Sequence, residues 1–277
     1  MSIAYYNGKF SSIEEVKIPL TDRAVFFGDG IYEALLGKDG NLHFENLHLK
    51  RFYENVKLLG LSFDMDENSL SRLLHDAVNR SGEESAFLYF QLTKFADRRI
   101  HACPRSEKYN LLITVTPIPL PSPERKMKLV TYPDLRYGYC NIKTLNLLPS
   151  VIASEYAERN GADEAVFCRG ETVTECAHSN LFVLKDGIVY THPKCEKILP
   201  GITREALLCE CRRLGIARRE EAFTREFMYS ADAILVTSST KICSLARSID
   251  SISMPEKSYT AELICKNLHD NFIKFCR

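Results

Sequence analysis

Apolar and polar positions alternate through the opening segment SIAYYNGKFSSIEEVKIPL on both sides of Asn7-Gly8, so a β-hairpin is expected at the start of the chain. A second β-type run over 30–36 turns at Lys38-Asp39-Gly40 into 42–44. The period then changes. Leu49, Phe52, Tyr53, Val56 and Leu59 recur at helical spacing, with Asn46 placed to cap the helix and Gly60 to end it. Another helix over 69–79 and two β-rich runs, 86–93 and 109–116, complete a mixed first half.

Pro117-Ile118-Pro119-Leu120-Pro121-Ser122-Pro123 holds four prolines in seven residues, which forbids both a helix and a central strand. Residues 117–123 therefore read as a linker between an N-terminal α+β domain (1–116) and a C-terminal α/β domain (124–277). In the second half the pattern predicts a strand over 128–132, a helix near 150–160 stopped by Gly161, and strands over 164–168, 180–185 and 188–191. A helix over 202–214 and an apolar strand over 233–236 follow. The fold class expected is α+β with two domains.

Composition narrows the partners. The 36 basic and 36 acidic side chains cancel, so no global field draws the protein to nucleic acid or an anionic membrane, and a small-molecule partner is expected. The start MSIAYYNGKF has neither the basic flank nor the apolar run of a signal peptide, and no stretch approaches a membrane span, which makes a cytoplasmic location the expectation. Ten cysteines are scattered without ligand spacing, as are seven histidines, so reduced thiols are expected and no metal site.

Four stretches could carry chemistry. In Asn141-Ile142-Lys143-Thr144-Leu145-Asn146-Leu147-Leu148 a single lysine lies in a mostly apolar segment, where desolvation would make its amine nucleophilic; a lysine snorkelling out of a buried segment fits the same stretch. Glu175 lies just before an expected strand and, taken alone, reads as a solvated turn residue. Leu199-Pro200-Gly201-Ile202-Thr203-Arg204 opens a helix whose free N–H groups could hold a phosphate or simply begin a helix. Thr237-Ser238-Ser239-Thr240 is a hydroxyl run that could be a phosphate cup or a polar turn.

Taken in order, the pieces GDGIYEAL, HLKRFYENVKLLGL, IKTLNLL, TVTECAHSNLF, DGIVYTHP, ILPGITRE and LVTSST resemble the fold-type IV, or class IV, pyridoxal-phosphate aminotransferases, above all those acting on D-amino acids. That resemblance implies a homodimer. It also implies that Lys143 carries pyridoxal 5′-phosphate as a Schiff base and shuttles the substrate proton, and that Glu175 faces the pyridine nitrogen. Arg51, Ile202, Thr203, Ser238 and Ser239 would hold the phosphate, and Leu199 would pack on the ring. Tyr32, Arg99 and His101 match the residues that bind the substrate carboxylate in that family, so transfer of the amino group of a D-amino acid such as D-alanine to 2-oxoglutarate is expected.

The chain departs from the family where small hydroxyl residues are replaced by Ala177 and His178, and where Lys94 and Phe95 precede the Arg99 loop. These departures bear on substrate range. Two other activities belong to the same fold, a branched-chain L-aminotransferase and a 4-amino-4-deoxychorismate lyase, and the Arg-x-His pair argues against both. A cofactor-carrying protein without turnover would need Lys143 or Glu175 to be dispensable.

Overall fold

The hairpin at Asn7-Gly8 forms in a computed structural model that describes residues 2–95, 98–102 and 108–275. Strand β1 (Ile3–Tyr6) pairs with β2 (Lys9–Ser11), and Asn7 takes the positive φ of 44° that the tight turn requires. There follow α1 (Arg23–Phe27), β3 (Gly30–Lys38), β4 (Asn41–Leu42), α2 (Glu45–Leu58), α3 (Glu67–Ser81), β5 (Ser85–Lys94) and β6 (Tyr109–Pro117). The strands form an antiparallel sheet in the order β2-β1-β6-β5-β3-β4. Its core joins Ile31, Leu35, Leu88, Phe90 and Leu92 from the strands to Leu49, Phe52 and Val56 of α2 and Leu70 and Leu74 of α3. The alternation that predicted strands thus becomes one apolar sheet face covered by two amphipathic helices.

Asn46 does not cap α2. Phe44 occupies that position in the left-handed region, its carbonyl accepting from Leu47 and His48, and Glu45 is tied to Ser71 and His75 of α3 at 2.6 and 2.8 Å. A tertiary tie to the neighbouring helix fastens this end, where the sequence offered a local cap.

The second sheet is mixed and built from ten strands. It contains β7 (Met127–Pro133), then, after α4 (Leu148–Arg159), β8 (Glu164–Arg169), β9 (Thr172–Cys176), β10 (Asn180–Lys185) and β11 (Ile188–Thr191). After α5 (Ile202–Arg213) come β12 (Ala217–Glu220), β13 (Phe223–Thr224), α6 (Arg225–Tyr229), β14 (Ala233–Ser238), β15 (Ile242–Ile249) and β16 (Ile252–Ser253), and α7 (Tyr259–Phe275) ends the described chain. The order is β12-β11-β10-β14-β15-β7-β8-β9-β13, with β16 on β15. Glu175 lies inside β9 rather than before a strand, because Thr172–Cys176 pairs back on β8 across the turn at Gly170. Among the described residues no helix is long and apolar enough to cross a membrane.

The chain divides into one unit of Met1–Leu120, Ile142–Asn146 and Phe275–Arg277 and a second of Pro121–Asn141 and Leu147–Lys274. Lys143, expected in the C-terminal domain, groups instead with the first unit. The reason is backbone pairing: Tyr32 N–H donates to the Lys143 carbonyl at 3.0 Å, Leu145 N–H donates to Gly30 at 3.1 Å, and Ile31 bridges Thr144. Gly30 allows this approach, since a Cβ there would come within 2.6 Å of the Leu92 carbonyl and 2.9 Å of Leu145.

One buried carboxylate roots α1 on the first sheet. Asp22 caps the helix through Ala24 N–H at 2.8 Å and accepts from Thr93 of β5 and Asn110 of β6, both at 2.7 Å. Asp22→Ala leaves these buried donors without an acceptor and is expected to cost about 2–4 kcal/mol. In urea unfolding the midpoint should fall with an unchanged slope.

Candidate active site

In the first unit the lysine predicted to be chemical is half-buried, and its Nζ lies 4.1 Å from the centroid of the Tyr32 ring. Tyr32 in turn stacks on Tyr89 at 5.4 Å. An aromatic ring therefore faces the amine. Tyr32 points from β3 to the face opposite Ile31, Glu33 and Leu35, as the period of two requires.

Glu33 is the polar residue among those inward positions and organises the next layer. It is fully buried and takes the Arg51 guanidinium in a fork, Nε to Oε1 and Nη2 to Oε2, both 2.7 Å, while His48 Nδ1 donates to Oε2 at 2.7 Å. Burial alone would raise the Glu33 pKa, but Arg51 and His48 outweigh it and hold the carboxyl down at about 2. Arg51, expected to face a phosphate, thus has the plane of its guanidinium set by Glu33. Neither Glu33 nor His48 was singled out from the sequence. Their signals were an acid at an inward position of GIYEALL and a histidine three residues before Arg51 on one helix face.

Arg99 and His101 are exposed and meet at one ring: the Arg99 guanidinium lies 5.2 Å and the His101 ring 5.2 Å from the centroid of Phe27 in α1. Tyr32, the third residue matched to carboxylate binding, keeps its own neighbours, Lys143 and Tyr89.

In the second unit Glu175 is buried in β9 and accepts from Leu199 N–H at 3.1 Å, Asn180 Nδ2 at 3.0 Å and Arg136 Nη1. Arg136 also donates to Asp134 at 3.0 Å and to the Lys197 carbonyl at 3.0 Å. Burial pushes the Glu175 carboxyl up to about 7, with Arg136 pulling against it. Asp134 and Arg136 were missed from the sequence; their signal was an acid and a base two apart, shortly before the lysine motif.

Ile202 and Thr203 are buried in the first turn of α5, whose N-cap Gly201 makes no side-chain cap. A Cβ at Gly201 would collide with the Asn180 side-chain oxygen. Ser238 ends β14 beside Ser239, and the neighbouring Thr237 hydroxyl is buried without a partner among the described residues. The replaced positions are engaged locally. His178 and Lys241 contact at 2.7 Å, and both face the buried Glu164, at 3.3 and 3.1 Å, while Ala177 is buried. Burial would raise the Glu164 pKa, but Lys241 and His178 hold it below the usual carboxylate range.

Each unit by itself presents groups that fit pyridoxal phosphate: in the first the Lys143 amine would suit its aldehyde, and in the second the buried Glu175 would suit its ring nitrogen and the uncapped N–H groups at the start of α5, with nearby hydroxyls, its phosphate. A carboxyl that burial raises to about 7 would be favoured in its charged form by a cationic nitrogen beside it.

The sequence profile of the family described as amino-transferase class IV matches residues 30–249. The D-alanine aminotransferase of Staphylococcus aureus (strain MSSA476) is 36% identical over 243 residues, 87% of this chain and 86% of that protein. Among solved structures, the branched-chain aminotransferase of the archaeon Thermoproteus uzoniensis with norvaline superposes with a TM-score of 0.90 at 20% identity, covering 99% of this chain and 95% of that one. A Legionella pneumophila protein assigned as a 4-amino-4-deoxychorismate lyase gives 0.86 at 23%, covering 94% and 97%. The chain belongs to the class IV aminotransferases.

Two outcomes follow from the buried acids. Because the folded-state pKa of Glu33 is depressed, its contribution is complete above the ordinary value of 4.5 and lost as pH falls toward about 2. The stability gap between the wild type and Glu33→Gln is therefore expected to be constant near neutral pH and to shrink below about pH 4.5, as read by urea unfolding at successive pH values. Arg136→Met removes the cation opposing burial at Glu175, so the protonated-carboxyl infrared band of the cofactor-free protein should persist to higher pH than in the wild type.

Proposed function

We propose that this class IV aminotransferase moves the amino group of a D-amino acid such as D-alanine to a 2-oxo acid such as 2-oxoglutarate, with pyridoxal 5′-phosphate as cofactor. The observation that carries the substrate assignment is the gathering of Arg99 and His101 on the Phe27 ring, a guanidinium fork and an imidazole presented together from one exposed loop. The 36% identity to a D-alanine aminotransferase supports the same reading.

When bound, the cofactor serves as an electron sink for the carbanion formed at the substrate Cα. Lys143 takes the proton from Cα and returns it, its amine set beside the Tyr32 ring. Glu175 would face the ring nitrogen, and Asn180, Leu199 N–H and Arg136 keep its carboxylate in place. The Leu199 side chain would pack on the ring, and Arg51, Ile202, Thr203, Ser238 and Ser239 would hold the phosphate. Arg99, His101 and Tyr32 take the substrate carboxylate, and because Lys143 reaches Cα from one face, the side on which the carboxylate is held selects the D isomer.

We read the enzyme as a homodimer. In support, the start of α4 leaves Leu148, Val151 and Ile152 exposed at 69, 48 and 42%, with Leu147 beside them at 39%. The branched-chain and lyase alternatives share the fold but give no role to the Arg99–His101 pair.

The deciding assay compares D-alanine plus 2-oxoglutarate with L-leucine and with aminodeoxychorismate. D-alanine should be turned over fastest, borohydride should fix the cofactor on the peptide carrying Lys143, and Lys143→Ala should abolish both. Arg99→Ala should lower kcat/KM for D-alanine at least tenfold, about 1.4 kcal/mol, while cofactor attachment survives. Faster turnover of L-leucine, or D-alanine kinetics untouched by Arg99→Ala, would overturn the D-specific assignment.

A further inference from the structure

Arg99 and His101 are exposed residues of a segment, 98–102, with neither helix nor strand, yet a carboxylate-binding pair must be held to a fraction of an ångström to bind well. The buried side chain beneath that segment is Arg23 of α1. Its Nη1 donates to the Ile100 carbonyl at 2.5 Å and its Nη2 to the His101 carbonyl at 3.1 Å, while its Nε is paired with Asp29 at 2.6 Å. The same guanidinium lies 4.7 Å from the centroid of Phe27, the ring that Arg99 and His101 also contact.

We propose that Arg23 is the positioning residue of the substrate-carboxylate site, clamping the backbone of Ile100 and His101 so that Arg99 and His101 project from fixed points. The proposal rests on the reading of Arg99 and His101 as the carboxylate-binding pair. Each part of the guanidinium has a separate task. Asp29 neutralises it and fixes its plane, its two NH₂ groups hold successive carbonyls, and its face lies on Phe27. Lys cannot do this, having one compact ammonium where two carbonyls and a carboxylate must be met in one plane. Rigidity also reaches the sheet, since the preceding residue, Asp22, is bonded to β5 and β6. Arg23 is buried, and each of its three nitrogens already donates to a carbonyl or to Asp29, so its place is beneath the loop rather than against substrate. It acts through Arg99 and His101.

The test uses the holoenzyme with Arg23→Met, Arg23→Lys and Arg99→Ala, measuring the first half-reaction with D-alanine and with D-alaninamide, which lacks the carboxylate, and inhibition by propanoate. Arg23→Met should raise the KM for D-alanine and the Ki of propanoate about tenfold, with the limiting rate and the D-alaninamide reaction changed less than about threefold. Arg23→Lys should fall between it and the wild type, and carries the test should the methionine variant fail to fold. If Arg99→Ala raises KM and both Arg23 variants leave it unchanged, the positioning role is wrong and the carboxylate-binding pair stands. Equal losses on D-alanine and D-alaninamide would make Arg23 a general stabiliser and overturn the proposal. If Arg99→Ala itself leaves KM unchanged, the reading of the pair fails and the proposal fails with it.

Discussion

Lys143 sits where it does because a five-residue segment, Ile142–Asn146, gives its backbone to the start of β3. On either side the chain belongs to the second unit, and over these residues it joins the first. Two backbone hydrogen bonds, which make the Ile31–Thr144 bridge, and one from the Asn146 side chain to the Gly28 carbonyl secure the segment, and the close approach requires a residue without a Cβ at position 30. The pairing brings the lysine amine to the Tyr32 ring and sets its distance from the Glu33 layer on the other face of the strand. A lysine on a free loop would have the same chemistry and no fixed direction.

Two buried acids, one in each unit, have opposite electrostatic fates, and the difference lies in how their partners are shared. Glu33 holds the Arg51 fork bidentately and adds His48, so Coulomb attraction and hydrogen bonds exceed the cost of burial. Glu175 shares Arg136 with Asp134, whose negative charge also works against a second carboxylate nearby, and burial prevails. Glu33 is thereby suited to permanent orientation of Arg51. Glu175 is suited to respond when a cationic partner arrives.

Exposed polar groups in this chain lean on buried charge. The Arg99 loop is held from below by Arg23, and the departure at His178, together with Lys241, converges on the buried Glu164. That second cluster changes how the family replacement is understood. A histidine in place of a small hydroxyl residue suggested from sequence a direct effect on substrate, whereas the structure gives its imidazole two local partners, Lys241 and Glu164.

By itself the sequence determined the element types over most of the chain, because alternation and helical spacing record which face of each element is apolar, as in the pairs β1–β2 and α2–α3. It also marked the lysine, Glu175, the start of α5 and the Arg99–His101 pair, since these are motifs contiguous along the chain. It could not determine what depends on residues distant along the chain. Phe44 displaced Asn46 as the N-cap because Glu45 is tied to α3, and Lys143 joined the first unit because its backbone meets β3. Glu33 became the partner of Arg51, Arg136 of Glu175, and Arg23 the clamp of a loop 77 residues away. A buried ion pair leaves no periodic trace in sequence, because its energy depends on burial and on a partner that only the tertiary fold supplies.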